Sequence, residues 1–171
     1  MFTEIDASDR ALNNSVAKDY MHFQETETVL LMDQLMQKPA DWHSHLCRAS
    51  TSLVMSIIYG LPPLEDSKDP IIVRVNHFTE RALAAAAPGA YLVEYFTWMQ
   101  YLPRWMSPWR VYAEEWFARD SGLFENLFDD TKRKRLGGDE TTSVAAKLLE
   151  DMKVNKKNLT DKEAAWLAAT L

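Results

Sequence analysis

Five glycines and seven prolines punctuate this chain of 171 residues, and most stand between stretches whose apolar residues recur at three, four or seven positions. Such spacing gathers apolar side chains on one helix face, and the breakers set where each helix must stop. A first helix is predicted over residues 8–37, with Ser8 as N-cap and a break near Asn13-Asn14-Ser15. Its face carries Val16, Tyr20, Phe23, Leu30, Leu31 and Leu35, and Pro39 closes it. Asp41 is the expected N-cap of the next helix, whose stripe is Leu46, Ala49, Leu53, Val54, Ile57 and Ile58. Gly60 and then Leu61-Pro62-Pro63 end it.

Asp69-Pro70 reads as an N-cap and first-turn proline, opening a helix that buries Ile72, Val75, Phe78 and Leu83 and stops at Pro88-Gly89. Residues 90–109 are dense in aromatics and poor in periodicity, interrupted by Pro103 and Pro108. They are expected to be short helical turns and loop forming a lid-like connection. Ser107-Pro108 opens the longest helix, to about Leu136, with Tyr112, Trp116, Leu123, Leu127 and Phe128 as its apolar face. The run Lys132-Arg133-Lys134-Arg135 complements the helix dipole before Gly137-Gly138. A helix over 142–152 presents Val144, Ala145, Leu148 and Leu149, and a polar loop follows over 153–158. Thr160 and Glu163 form a capping box for a last helix, 164–171, whose face Ala164, Leu167, Ala168 and Leu171 is still in phase at the final residue. An isolated two-turn helix is barely stable, so this one is expected to continue in a longer coding sequence. The reading is an all-α single partial domain, 1–171, of about six helices.

Composition excludes several classes. Apolar residues make up 47% and charged residues 26%, the balance of a folded globular chain. The net charge of −6 opposes the basic footprint of a nucleic-acid binder. One cysteine cannot form an intrachain disulfide, no apolar run reaches the length of a bilayer span, and the acidic N-terminus has no signal-peptide core. The expectation is a soluble chain of a reducing compartment.

Chemistry is sparse. His43 and Cys47 share a helix face, His45 points away, and only His22 and His77 remain, so no zinc shell of converging ligands is expected. Asp129-Asp130 lacks the further carboxylates a diphosphate-binding magnesium site needs, and reads as a solvated face. Gly137-Gly138 precedes Asp139-Glu140, which would repel phosphate. The aromatic stretch 90–109 has two readings: core packing, or an amphipathic lid that touches a membrane interface or roofs an apolar pocket. Asn13-Asn14-Ser15 and Asn158-Leu159-Thr160 match a glycosylation sequon without a secretory route to use it.

Several residues stand in a recognisable order: Tyr20, Gln24, Leu31, Leu35, Pro39, His45, Arg48 and Tyr59-Gly60. Pro88-Gly89-Ala90-Tyr91-Leu92-Val93-Glu94, Leu102-Pro103-Arg104-Trp105 and residues 159–171 continue it. Together they resemble the middle of a fungal cytochrome P-450, a heme-thiolate monooxygenase of the membrane-bound, reductase-dependent type. The resemblance covers roughly residues 9–171, from the end of that fold's helix C to the first turns of its helix I. Cys47 lacks the Phe-Gly-Arg-Cys-Gly context of the family's heme ligand. The Glu-x-x-Arg pair, the Ala-Gly-x-x-Thr stretch and the propionate-gripping Trp-Arg pair are missing too. Glu94 and Thr97 stand where the family more often has Asp and Pro.

The resemblance implies a partial cytochrome P-450 helical fold. Its parent would bind heme iron and oxidise an apolar small molecule with dioxygen and electrons from a flavoprotein reductase, at the cytosolic face of the endoplasmic reticulum membrane. This chain, with no anchor, would be cytoplasmic and inactive, with no catalytic, heme-binding or metal residues of its own. Leu83, Ala86, Ala87 and Tyr112 would supply part of the substrate pocket's roof. Faces such as Leu123–Leu127 are expected to lack partners, leaving the helices poorly packed. The alternative is a non-enzymatic all-α interaction module using 90–109 as its partner surface.

Overall fold

The computed structural model describes residues 20–138, 142–155 and 160–170. These form α1 (Met21–Gln37), α2 (Trp42–Tyr59), α3 (Pro70–Ala86), α4 (Pro108–Leu136), α5 (Val144–Asn155) and α6 (Asp161–Thr170), with no β-strand among them. The expected Ser8 cap, the Asn13–Ser15 break, the Val16 position, Asp139-Glu140, the Asn158 sequon and Leu171 lie outside the described residues.

Local chemistry explains most boundaries. The Asp69 carboxylate accepts from the Ile71 N–H at 2.8 Å, and Pro70 follows as the first helical residue of α3. Gly60 ends α2 at φ +66°, a left-handed conformation that a Cβ disfavours, with its N–H on the Ser56 carbonyl at 2.9 Å. At the start of α6 the Thr160 N–H donates to Glu163 Oε2 at 2.8 Å, while the Glu163 N–H reaches Thr160 Oγ1 at 3.3 Å. That is the expected reciprocal box. Asp41 takes the N-cap position of α2 but makes no capping bond through its side chain; a single 3-10 turn, Pro39–Asp41, leads the chain in instead.

The core is built from α2, the second half of α4, α5 and α6. Met55, Ile58 and Tyr59 meet Leu123, Phe124, Leu127 and Phe128, with Leu148 and Leu149 beside them. Ala164, Ala165 and Ala168 let α6 lie close against α4. Trp166 stacks on Phe117 with ring centroids 5.0 Å apart, meets Phe124 edge-on, and donates from its indole N–H to Ser121 Oγ at 3.0 Å. Leu123 and Leu127, expected to lack partners, are therefore fully packed: α5 and α6 cover them.

Other expected core positions face water. Leu46 and Val54 of α2, Leu83 of α3 and Tyr112 of α4 are exposed. For α2 the reason is visible in its buried face, which carries Arg48, Thr51, Ser52 and Ser56 beside Ala49 and Met55. Arg48 is wholly buried and donates through Nη1 to Glu27 Oε2 at 2.9 Å and to the Leu64 carbonyl at 2.8 Å. Its Nε donates to Gln34 Oε1 at 2.8 Å, and Ser52 donates to the other Glu27 oxygen. A polar knot thus joins α1, α2 and the loop 61–65, where a run of apolar contacts was predicted. No described helix is long and apolar enough to cross a membrane.

Candidate functional site

The connection between α3 and α4 contains three short 3-10 segments, Leu92–Glu94, Thr97–Tyr101 and Arg104–Met106, matching the expected short turns and loop. Gly89 permits its opening bend at φ +80°, and its N–H donates to Glu94 Oε2 at 3.0 Å. A Cβ on Gly89 would meet the Tyr95 hydroxyl at 3.0 Å, a contact the exposed ring can relieve by swinging away, so the left-handed φ is what favours glycine here. Ser107 is buried at the junction with α4, and Arg104 pairs with Glu114 at 3.0 Å to hold the last turn against that helix.

The aromatics of this connection are not core. Tyr101 and Trp105 are 84% and 81% exposed, and Tyr95, Phe96 and Trp98 are also open to solvent. From Ala87 to Ser107 the only charged residues are Glu94 and Arg104, both already engaged. A broad apolar surface with so little charge is the kind that monomeric proteins rarely leave uncovered. Among the described residues, nothing packs over this stretch as core.

Side chains, more than backbone proximity, fasten this arm to the core. Arg81 on α3 grips both Asp120 oxygens at 2.9 Å and lies over the Trp116 ring, 3.8 Å from its centroid. Arg119 approaches the same ring at 4.9 Å, and Arg74 donates to the Arg119 carbonyl at 3.2 Å. Phe78 adds an edge-on contact with Phe124, centroids 5.1 Å apart. Beyond this clamp everything from Ala82 to Tyr91 is exposed.

The four predicted roof residues sit on this arm. Leu83, Ala86 and Ala87 occupy the last turn and C-cap of α3, and Tyr112 lies one turn into α4 with its ring edge-on to Trp116 at 5.8 Å. All four face solvent, Leu83 at 68% and Tyr112 at 52% exposure. The clamp, whose Trp116 ring Tyr112 touches, joins the two helices that carry them. Sequence reasoning missed Arg81 and Asp120; opposite charges on facing helices give no local signal, because 39 residues separate them.

The remaining polar candidates are dispersed. Cys47 Sγ lies 3.8 Å from His43 Nδ1 on the outer side of α2, while His45 Nε2 is 3.1 Å from the Lys38 carbonyl. His77 sits near Glu80 at 3.4 Å, and Asp130 pairs with Arg133 on an exposed face. No group of three or more His, Cys, Asp and Glu among the described residues could hold a metal ion. Heme in a thiolate enzyme needs a cysteine aimed into an apolar slot. Cys47 is instead half-buried, one turn from its histidine neighbour and flanked by exposed Leu46. These residues do not fit the group.

No family model matches the chain, and no solved structure matches it. Relatives by sequence are clear. A cytochrome P-450 monooxygenase of Armillaria gallica is 39% identical over 165 residues, which is 96% of this chain and 31% of that protein. Cytochrome P-450 monooxygenase 58 of Postia placenta is 37% identical over the same shares. The cytochrome P-450 monooxygenase iboC of Amanita muscaria is 28% identical over 94% of this chain and 28% of its own. The chain spans about a third of the length of the curated relatives it matches most strongly. With matches of this strength along nearly all of its length, the chain is a sequence relative of the fungal cytochrome P-450 monooxygenases, aligned to about a third of their length.

Proposed function

We propose that this chain is the lid-bearing helical layer of a heme-dependent monooxygenase, and that its own contribution is to present an apolar arm. The observation that carries the reading is the exposed aromatic surface of residues 91–106, continuous in sequence with Leu83, Ala86 and Ala87 on one side and Tyr112 on the other. In the parent, dioxygen and electrons from a flavoprotein reductase would oxidise an apolar small molecule. These four residues would form part of the roof over it, excluding water and orienting the substrate by shape. Trp98, Tyr101 and Trp105 would rest at the cytosolic interface of the endoplasmic reticulum membrane, where amphipathic rings are favoured. The relatives' printed activity supports the parent reaction.

The chain alone is proposed to bind no heme and to catalyse nothing. Reconstitution with hemin, reduction and carbon monoxide should give no red-shifted Soret band. A band that vanishes in Cys47→Ser would overturn this. For the arm, flotation with neutral phospholipid vesicles should carry the wild-type chain upward, and Trp98→Ser with Trp105→Ser should leave it behind. If the wild type does not float, the membrane role fails, and the alternative, an interaction module whose aromatic region meets another protein, moves ahead.

A further inference from the structure

A groove of about 720 Å³ runs along α1 beside the loop that the polar knot holds in place. Val29, Leu30, Pro62 and Pro63 give it an apolar floor, and Glu25, Asp33 and Glu65 rim it. We propose that this groove is the docking site for a short extended peptide segment of a partner protein, cationic at its ends and aliphatic between them.

The wall is preformed. The buried Arg48 holds the Leu64 carbonyl at 2.8 Å, the buried Ser52 accepts from the Leu64 N–H at 2.8 Å, and Gln34 donates to the Glu65 carbonyl at 2.9 Å. These three bonds fix the proline-bearing loop relative to α1, so a ligand does not have to order it. Val29 is 72% exposed on the open floor, an apolar surface that no described residue covers.

Charge selects the occupant. From Met21 to Gln37 α1 contains no lysine or arginine. Glu25, Asp33 and Glu65 have no ion-pair partner among the described residues, although Gln37 donates to Asp33 at 2.6 Å. Three uncompensated carboxylates around an apolar floor attract cations and repel acidic or phosphorylated ligands. Spacing adds a length. Glu25 and Asp33 are eight residues apart on the helix, about 12 Å along its axis. An extended peptide rises about 3.3 Å per residue, so cations four positions apart reach both. A second copy of this chain is a poor occupant, because in its densest basic run Lys132 already pairs with Asp161, Arg133 with Asp130 and Arg135 with Glu150.

The test uses the full 171-residue chain and a fluorescent pentapeptide with arginine at both ends and leucine, valine and leucine between. A partner peptide with glutamate at both ends is the control. The arginine peptide should bind and weaken as salt rises, and the control should not bind. Glu25→Lys combined with Asp33→Lys, both on the surface and checked by circular dichroism, should cut affinity at least about tenfold. Val29→Ser should weaken binding without changing its salt dependence. Equal binding of both peptides, affinity within twofold after charge reversal, or no binding of the arginine peptide at millimolar concentration would each overturn the proposal. So would concentration-dependent self-association that the double reversal abolishes, since a second copy would then own the groove.

Discussion

The two halves of α4 obey the same helical geometry and live in different surroundings. From Ser121 onward the helix buries Ser121, Leu123, Phe124, Leu127, Phe128 and Thr131; from Pro108 to Asp120 it buries nothing completely, although Trp109, Tyr112, Trp116 and Phe117 lie there. The richer aromatic content belongs to the less buried half. Hydrophobicity therefore does not decide burial here; the presence of neighbours does. The second half has α2, α5 and α6 around it, while the first has one arginine clamp, a short connection and, from α6, the Trp166 ring stacked on Phe117. Packing within the described residues does not account for this apolar surface.

The packed half is where the largest loss is expected. Phe128→Ala removes a wholly buried ring and should destabilise the chain by about 3–5 kcal/mol in urea unfolding. A loss under about 1 kcal/mol would mean that the two halves are equally loose. Next comes the clamp. Arg81 is partly exposed, so its bidentate pair is screened, but its contact with Trp116 adds packing. Arg81→Ala should cost about 1–2 kcal/mol and raise amide exchange in residues 108–119 while leaving 121–136 protected. Uniform exchange along α4 would sink the division.

Smaller effects sharpen the same picture. Thr160→Ala loosens the start of the helix that covers the packed half and should cost about 1 kcal/mol. The Thr160 N–H, and then its hydroxyl, hold the Glu163 carboxyl below its ordinary range. That contribution is present above the unfolded carboxyl value and is lost as pH falls through the lower folded one. Glu163→Gln should therefore flatten the acid limb of the stability profile, read from urea midpoints at several pH values. At the bottom of the scale, Trp105→Ser should change stability by less than about 0.5 kcal/mol, with vesicle flotation as its only large response.

Much of the fold was legible because its punctuation is local. Asp69-Pro70, Gly60, Ser107-Pro108 and the Thr160–Glu163 box each act within one turn; the first three set boundaries where expected, and the last starts its helix at Asp161, three residues before the expected 164. Burial was less legible, since it depends on what lies across the interface. Arg48, Ser52 and Ser56 recur every four residues along α2 and mark a polar stripe, but only Glu27 and Gln34 on another helix turn that stripe inward. Leu83 and Tyr112 carry the same periodic signal as Phe78 and Leu123; the clamp at Arg81 and Asp120 marks where that signal ceases to mean core.

Tyr59 makes the packed region report on itself. Its hydroxyl is buried with no hydrogen-bond partner among the described residues, and burial pushes its ionisation far above the usual tyrosine range. Leaving the phenol neutral stabilises the folded chain fully below the unfolded tyrosine value near 10 and less and less as pH climbs beyond it. The phenolate colour of this one ring is therefore a clock for alkaline opening. A base jump followed in a stopped-flow spectrometer should show a delayed absorbance phase that disappears in Tyr59→Phe, and its rate is the rate at which α2 parts from α4 and α5.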